Sequence, residues 1–393
     1  MVCLNVADYR HGARRRLPRG LFEYVDRGTE DETGLAAIRR SLDAVRIVPR
    51  VLRDVSGIDL STRIFGRTLP CPLIVAPTAA AGLLWHDGEV ALASAAGAAG
   101  LPFCAATQSM TSIEAIRAGA PDADLWFQLY VWQDRDLVGA LLERAAAAGA
   151  TTLVLTVDTP ISPKREYNTR NGFAIPIVPS ATAAFDVARH PRWTWQVLLR
   201  YLRQGGMPTY ANYPPEFRTA LTRRAVSDRV RLSERVTWED VEDLRRDWRG
   251  RLVLKGVLHV DDARRAADLG ADGIVVSAHG GRNLDCAVAP ADVLPGIAEA
   301  VGEKMTVFAD SGIRRGSDVV KLLAMGASAV LLGRSVLFGT AVAGRAGAAH
   351  VLAILREEIS QCLAFAGQTS IEDLDPGILF RPLPAALAAE RQA

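Results

Sequence analysis

The feature that most constrains this chain is a repeated unit: an Ala-rich helical stretch, a glycine near its end, then a short apolar run rich in β-branched residues. It recurs in 94-SAAGAAGLPFCAA-106, 144-RAAAAGATTLVLTVD-158, 263-ARRAADLGADGIVVSAHG-280 and 319-VVKLLAMGASAVLLGR-334. The glycine supplies the left-handed residue that stops a helix, and an unbroken apolar strand is one covered on both faces, as in a parallel sheet. Strands are expected at Leu73 to Ala76, Phe103 to Ala106, Leu125 to Val131, Thr152 to Val157, Leu252 to Lys255, Gly273 to Ser277, Thr306 to Ala309 and Ala329 to Leu332. Eight parallel strands alternating with helices close most naturally into a (β/α)8 TIM barrel, whose chemistry sits at the strands' C-terminal ends. A doubly wound open sheet is the alternative architecture. It calls for a Gly-rich fingerprint after the first strand, and 76-APTAAAG-82 is not G-x-G-x-x-G.

Three regions flank or interrupt the barrel expected over 73–345. Residues 1–72 read as helices followed by irregular or short strand structure packing on the barrel, with Pro18 placed to start a helix carrying Phe22 and Tyr24. Residues 346–393 read as a C-terminal helix and tail. Between the fourth and fifth strands lies a long insertion, 173–235, holding Pro176, Pro179, Pro191, Pro208, Pro214 and Pro215 and the run 189-RHPRWTWQVLLRYLR-203. A connection of this length in a compact domain is functional or mobile. Its Trp193, Trp195, Leu198, Leu199 and Tyr201, beside Arg189, Arg192, Arg200 and Arg203, suit either a helix capping the barrel or another subunit, or peripheral membrane contact through 189–203.

Charge and cysteine usage narrow the partners. Lys and Arg number 46 against 44 Asp and Glu, so a net charge of +2 gives no general reason to expect nucleic acid. The five cysteines are scattered and form no C-x-x-C pair, which argues against disulfides, zinc or a redox couple and fits a reducing cytoplasm. No apolar stretch follows Met1 to Arg16, and no window reads as long enough to span a membrane.

The residues at or just past the expected strand ends are all polar: Thr78, Thr107, Gln128 with Tyr130, Thr156 with Asp158, Lys255, Ser277 with His279, Asp310 and Arg334. A barrel used only as scaffold needs no such set. After the last two strands, 310-DSGIRRGSD-318 and 333-GRS-335 bring Gly312, Arg314, Gly333 and Arg334 to the place where barrels commonly hold a phosphate. In 277-SAHGGRNLD-285, His279 and Arg282 share a loop loosened by Gly280 and Gly281; this pairing suits acid–base work on a carboxylic acid, with Asp158 to orient the imidazole. Lys255 has two open uses, a Schiff base in a lyase or aldolase and charge compensation of an anionic cofactor. Arg165, Asn168, Tyr24 and Tyr130 are further candidates to hold a carboxylate and a hydroxyl. No His and carboxylate cluster has metal-ligand spacing. A non-catalytic barrel acting as a membrane-associated module is the remaining alternative.

Taken in order, 21-LFEYVDRGTEDE-32, 76-APTA-79, 127-FQLYV-131, 155-LTVDTP-160, 164-KREYNTRNGF-173, 254-LKGV-257, 277-SAHGGRNLD-285, 310-DSGIRRGSDV-319 and 332-LGR-334 resemble the FMN-dependent 2-hydroxy acid oxidase and dehydrogenase family. Its members include glycolate oxidase, lactate oxidase, lactate dehydrogenase and mandelate dehydrogenase. Blocks 82-GLLWHDGE-89, 105-AATQSMTSIE-114 and 124-DLWFQLYV-131 are most similar to the mandelate dehydrogenase branch, and 189-RHPRWTW-195 to the lactate dehydrogenase branch, some of whose members associate with membranes.

The resemblance implies FMN as cofactor, His279 as catalytic base supported by Asp158, and Arg282, Arg165, Tyr24 and Tyr130 on the substrate. It implies that Thr78, Ala79, Gln128, Thr156, Lys255 and Ser277 contact the flavin ring or ribityl chain, and that Asp310, Gly312, Arg314, Gly333 and Arg334 hold the ribityl hydroxyls and phosphate. The implied reaction is oxidation of an L-2-hydroxy acid, mandelate-like or lactate-like, to the 2-oxo acid. Ala79 leans toward oxygen as acceptor, with another acceptor open, and Gln108 leaves room for an aryl or long side chain. A homo-oligomer, a tetramer by resemblance, is expected in the cytoplasm or peripheral to the inner face of a membrane. Where the family usually reads S-N-H-G-x-R-Q, this chain has Ala278 and Asn283; Ala106 stands where a small hydroxyl residue is usual, and Asn168 where an acidic one is.

Overall fold

Each expected apolar run folds as a strand, and the eight close on themselves. They are β1 Leu73–Val75, β2 Pro102–Ala106, β3 Asp124–Leu129, β4 Thr152–Thr156, β5 Arg251–Val257, β6 Gly273–Val276, β7 Thr306–Ala309 and β8 Ala329–Leu332, parallel throughout, with β8 returning to β1 through Val330↔Leu73 and Leu332↔Val75. The strands are buried almost end to end because helices cover their outer faces and side chains fill the lumen. The computed structural model describes residues 2–173, 177, 180–223 and 227–380. Pro176 and Pro179 of the insertion and the tail after Phe380 lie outside the described residues.

The N-terminal segment builds both ends of the cylinder. Residues Thr62–Ile64 and Arg67–Leu69 form a hairpin under the strands' N-terminal ends. Its turn places Phe65 at φ +51° and Gly66 at φ +80°, the two left-handed residues that a tight two-residue hairpin requires. A left-handed Phe is strained, and its ring position accounts for it: Phe65 packs 5.9 Å from Trp126 and 5.7 Å from Phe308, closing the lumen among Ile64, Leu69, Ile74, Cys104, Val154 and Val275. At the other end, helix α1 (Arg19–Asp26), begun by Pro18 as expected, and helix α2 (Thr33–Ala44) lie against the catalytic-end loops.

The described part of the insertion carries helices rather than structureless chain. It contains helices Ala181–Ala188 and Leu199–Gln204, the latter preceded by a π-turn over Thr194–Leu198. Trp193 donates its indole N–H to Leu83 O at 2.7 Å, Val197 is buried, and the Tyr201 hydroxyl reaches Gly82 O at 3.2 Å, so one face packs on the first strand-to-helix loop. The opposite face leaves Phe185, Trp195 and Leu202 exposed, with Arg203 over Trp195 and Arg189 over Phe185.

One expectation is overturned. Among the described residues, helix Arg334–Ala366 is long and apolar enough to cross a membrane, although no such window was read in the sequence. Its Ala- and Gly-rich composition hides the length, because those residues carry little hydrophobic signal. It is a core helix, mostly buried against Gly88–Ala98 and Val6–Arg16, and it breaks at Ala343 and Gly344.

Candidate active site

The polar strand ends converge. A single cavity at the C-terminal mouth is lined by Tyr24, Thr78, Ala79, Gln128, Tyr130, Thr156, Arg165, Lys255, His279, Arg282, Asp310, Gly312, Arg314, Gly333 and Arg334, which brings together the expected set except Ser277 and Asp158. Those two stand just behind the wall. Ser277 Oγ accepts from Lys255 Nζ at 3.1 Å and from His279 N at 3.0 Å, and Asp158 Oδ1 takes His279 Nδ1 at 2.8 Å. Thr107 does not reach the cavity: it is fully buried, its hydroxyl tied to Gln128 O at 2.7 Å and Tyr130 N at 3.0 Å, while Ala106 forms the wall.

The loop after β6 owes its shape to backbone strain. His279, Gly280 and Gly281 are consecutive left-handed residues, at φ +52°, +65° and +70°. For the two glycines this costs little, whereas for His279 it is stored strain of the kind found where a side chain must be aimed. A Cβ on Gly280 would stand 2.5 Å from Arg334 Nη1, so the glycine also makes room for that guanidinium. Asp285, later in the same loop, caps α2 from across the chain, accepting from Thr33 N at 3.1 Å, Thr33 Oγ1 at 2.8 Å and Gly34 N at 2.9 Å. Nothing local in the sequence marks that contact.

Charge in the mouth is unbalanced toward the positive. Arg165, Arg282, Arg314 and Arg334 line it, and none of them has a carboxylate ion pair among the described residues. Arg334 instead donates to three carbonyls, Val25 O at 2.8 Å, Gly280 O at 2.7 Å and Arg27 O at 2.9 Å, and Arg282 donates to Tyr24 O and to Arg27 O. Gly280 O belongs to the loop after β6, whereas the Tyr24, Val25 and Arg27 carbonyls lie at the C-terminal end of α1, the negative pole of the helix, which eases the burial of cations. It does not neutralise them. Burial, with Arg282 and Arg314 nearby, brings the Arg334 guanidinium down to about 9, and burial brings Arg314 down to about 10. Arg165 is likewise lowered by burial and by Arg282, and its Nε is buried without a partner. Such a site favours anions.

The loop after β7 is held by residues with no local signature in the sequence. Asp318 accepts from Arg314 N at 2.9 Å and Arg315 N at 3.0 Å, and Arg39 of α2 grips both Asp318 and Gly312 O, the latter at 2.7 Å. Gly312, at φ +87°, has no room for a Cβ beside Ile38 and Leu42.

Lys255 and His279 have opposite environments. Burial alone would lower Lys255, but Asp310, Asp158 and Tyr130 hold it above the ordinary lysine range, with Asp310 Oδ2 at 3.3 Å. A lysine kept as ammonium is a poor carbonyl nucleophile, so the Schiff-base alternative loses its chemical basis, and charge compensation of an anionic ring remains. Burial pushes the His279 imidazole below its ordinary value against the pull of Asp158, so it is neutral near pH 7 and able to accept a proton. The Asp158 carboxyl, which burial would raise, is drawn down to about 2 by His279 and Lys255. Asp158 fits only because β5 bulges at Gly256, φ +109°, where a Cβ would lie 2.4 Å from Asp158 Cβ.

Unpaired donors test whether a flavin mononucleotide suits the mouth. Among the described residues Gln128 Nε2 is buried with no partner, Lys255 would offer a cation beside a ring, and Arg314 and Arg334 could hold a phosphate. The residues fit.

The fold and site define a TIM barrel whose C-terminal mouth gathers cations suited to anionic ligands beside a His–Asp pair. The model of the FMN-dependent dehydrogenase family matches residues 13–381, and the chain belongs to that family. It is an FMN enzyme. An L-lactate dehydrogenase of Caulobacter vibrioides is 39% identical over 388 residues, covering 98% of this chain and 100% of that protein. The (S)-mandelate dehydrogenase of Pseudomonas putida is 40% identical over 375 residues, covering 95% and 93%. The crystal structure of a monotopic membrane protein, (S)-mandelate dehydrogenase, superposes with a TM-score of 0.90 at 38% identity, over 97% of this chain and 100% of that one.

Proposed function

We propose that this FMN enzyme oxidises an L-2-hydroxy acid of aryl type, mandelate-like before lactate-like, to the 2-oxo acid. The observation that carries the reading is one cavity in which His279, backed by Asp158, faces Arg165 and Arg282, two guanidiniums without carboxylate partners among the described residues. The aryl preference is supported by a second cavity of about 740 Å³ that shares Tyr24, Gln108, Tyr130 and Arg165 with the first and continues among Tyr210, Tyr213, Phe217 and Leu221. Bound FMN supplies a two-electron acceptor.

In this reading Arg282 and Arg165 take the substrate carboxylate, the Tyr24 and Tyr130 hydroxyls fix the 2-hydroxyl, and His279 Nε2 accepts the proton released as the alcohol becomes a carbonyl. Asp158 balances the imidazolium that results. Thr78, Ala79, Gln128, Thr156, Lys255 and Ser277 serve the ring and ribityl chain, with Lys255 offsetting negative charge that develops on the ring. Asp310, Gly312, Arg314, Gly333 and Arg334 serve the ribityl hydroxyls and phosphate. Oxygen is the acceptor favoured by Ala79.

The exposed face of Phe185, Trp195 and Leu202, ringed by Arg189, Arg192, Arg200 and Arg203, supports peripheral contact with the inner face of a membrane through 189–203. Exposed Val51, Leu52 and Phe365 support assembly into a homo-oligomer, a tetramer in this proposal.

An anaerobic titration of the yellow protein with a panel of 2-hydroxy acids tests the reading. Bleaching by (S)-mandelate at lower concentration than by L-lactate is expected, with colour returning on admission of air. No bleaching by any hydroxy acid overturns the activity, and return of colour only with an artificial acceptor overturns oxygen.

A further inference from the structure

The site holds a hydrogen-bond chain behind the base that the reading above does not use. Asn283 Nδ2 lies 2.8 Å from both Asp158 O and Thr159 Oγ1. A peptide carbonyl only accepts, so the amide nitrogen, and not its oxygen, must face this way. That nitrogen only donates, so Thr159 Oγ1 accepts from it and turns its own proton to Asp158 Oδ1 at 3.0 Å. An ionised carboxylate only accepts, so His279 Nδ1, 2.8 Å from the same oxygen, must carry the ring proton. Nε2 is left with its lone pair free. Asp158 Oδ2 is buried with no partner, so the two donors on Oδ1 are what hold the carboxylate in this rotamer.

We propose that Asn283 and Thr159 are positioning residues that fix the orientation of Asp158, and through it the tautomer of His279, by a chain that runs from the Asn283 amide through the Thr159 hydroxyl to Asp158 Oδ1. The proposal rests on His279 being the base. Here the shorter Asn283, where the family usually has Gln, reaches the carbonyl and hydroxyl at full hydrogen-bond distance. The charged and titratable groups facing the chain are Tyr130, whose hydroxyl also hydrogen-bonds Thr159, with Lys255 beside Asp158, and Lys255 and Asp310 beside His279. All are retained in the test.

Thr159→Val keeps the shape and removes the hydroxyl; Thr159→Ser restores it. A hydrogen bond to a charged group is worth enough that Thr159→Val should lower kcat by about tenfold, with KM within about twofold. The acid limb of kcat/KM should move to lower pH by about half a unit, because a carboxylate free to turn raises His279 less. Thr159→Ser should recover both. Asn283→Leu should reproduce the Thr159→Val pattern with FMN absorbance intact. A Thr159→Val enzyme with parental kcat and pH profile overturns the chain, and so does a loss of kcat that leaves the limb in place and is not rescued by serine. His279→Ala, measured alongside, separates the two layers: if it still reduces flavin with substrate, the base reading falls, whereas an inactive His279→Ala beside an unaltered Thr159→Val removes only the positioning role.

Discussion

The two ends of the barrel are built from the same eight strands yet differ in almost every physical respect. At the N-terminal end, Phe65, Trp126 and Phe308 pack as an aromatic plug, and the nearby charges are paired, Arg67 with Asp124 at 2.9 Å and Arg245 and Arg251 with Asp272 at 2.8 and 2.6 Å. At the C-terminal end, among the described residues, four guanidiniums lack carboxylates, a histidine sits in left-handed backbone, and buried donors such as Gln128 Nε2 have no partner. One end is satisfied within the chain. The other leaves some buried donors and cations open toward the cavity, which is where a barrel stores free energy that a ligand can release.

Substitutions should separate the ends cleanly. The largest effect is expected from His279→Ala: a folded, yellow protein whose flavin reduction by substrate, followed by stopped-flow absorbance, falls by roughly 10²–10⁴-fold. Arg282→Met removes a charge-assisted hydrogen bond to substrate, and kcat/KM should fall about 10- to 100-fold, with little change for an uncharged inhibitor. At the plug, Phe65→Ala should cost about 3 kcal/mol in urea unfolding while leaving kcat within about twofold of the parent. Parental stability there would end the contrast between the two halves.

Proton and anion effects are smaller and sharpen the same contrast. Because burial holds His279 below the ordinary 6.5, the base stays unprotonated on mild acidification, and the acid limb of kcat/KM should lie below that value. A limb above 6.5 would mean that Asp158 outweighs burial. Inorganic phosphate added to flavin-free protein should raise Tm by about 2–4 °C through Arg314 and Arg334, and Arg314→Met should abolish the rise.

Much of this was legible because it is local. An apolar run after an Ala-rich helix and a glycine specifies a buried parallel strand, so the positions of Lys255, His279, Asp310 and Arg334 at strand ends follow from counting along the chain. The insertion was harder. Its tryptophans and arginines gave two readings, and only the contacts of Trp193 with Leu83 O and Tyr201 with Gly82 O reveal which face packs inward. Thr159 was passed over because a threonine before a proline has an ordinary turn role, and Gly256 because nothing in L-K-G-V signals a bulge.

The sequence by itself determined the strand pattern, the closed barrel and the residues offered at its mouth, since periodicity and turn chemistry act over a few residues. Tertiary structure alone decided which carbonyls receive Arg282 and Arg334, that Asp285 caps a helix begun at Thr33, that Arg39 clamps the loop at Asp318, and that Asn283 sets the direction of a chain ending at His279. Most of those contacts join residues more than a hundred positions apart. Their geometry exists only after the barrel has closed, and no local pattern encodes it.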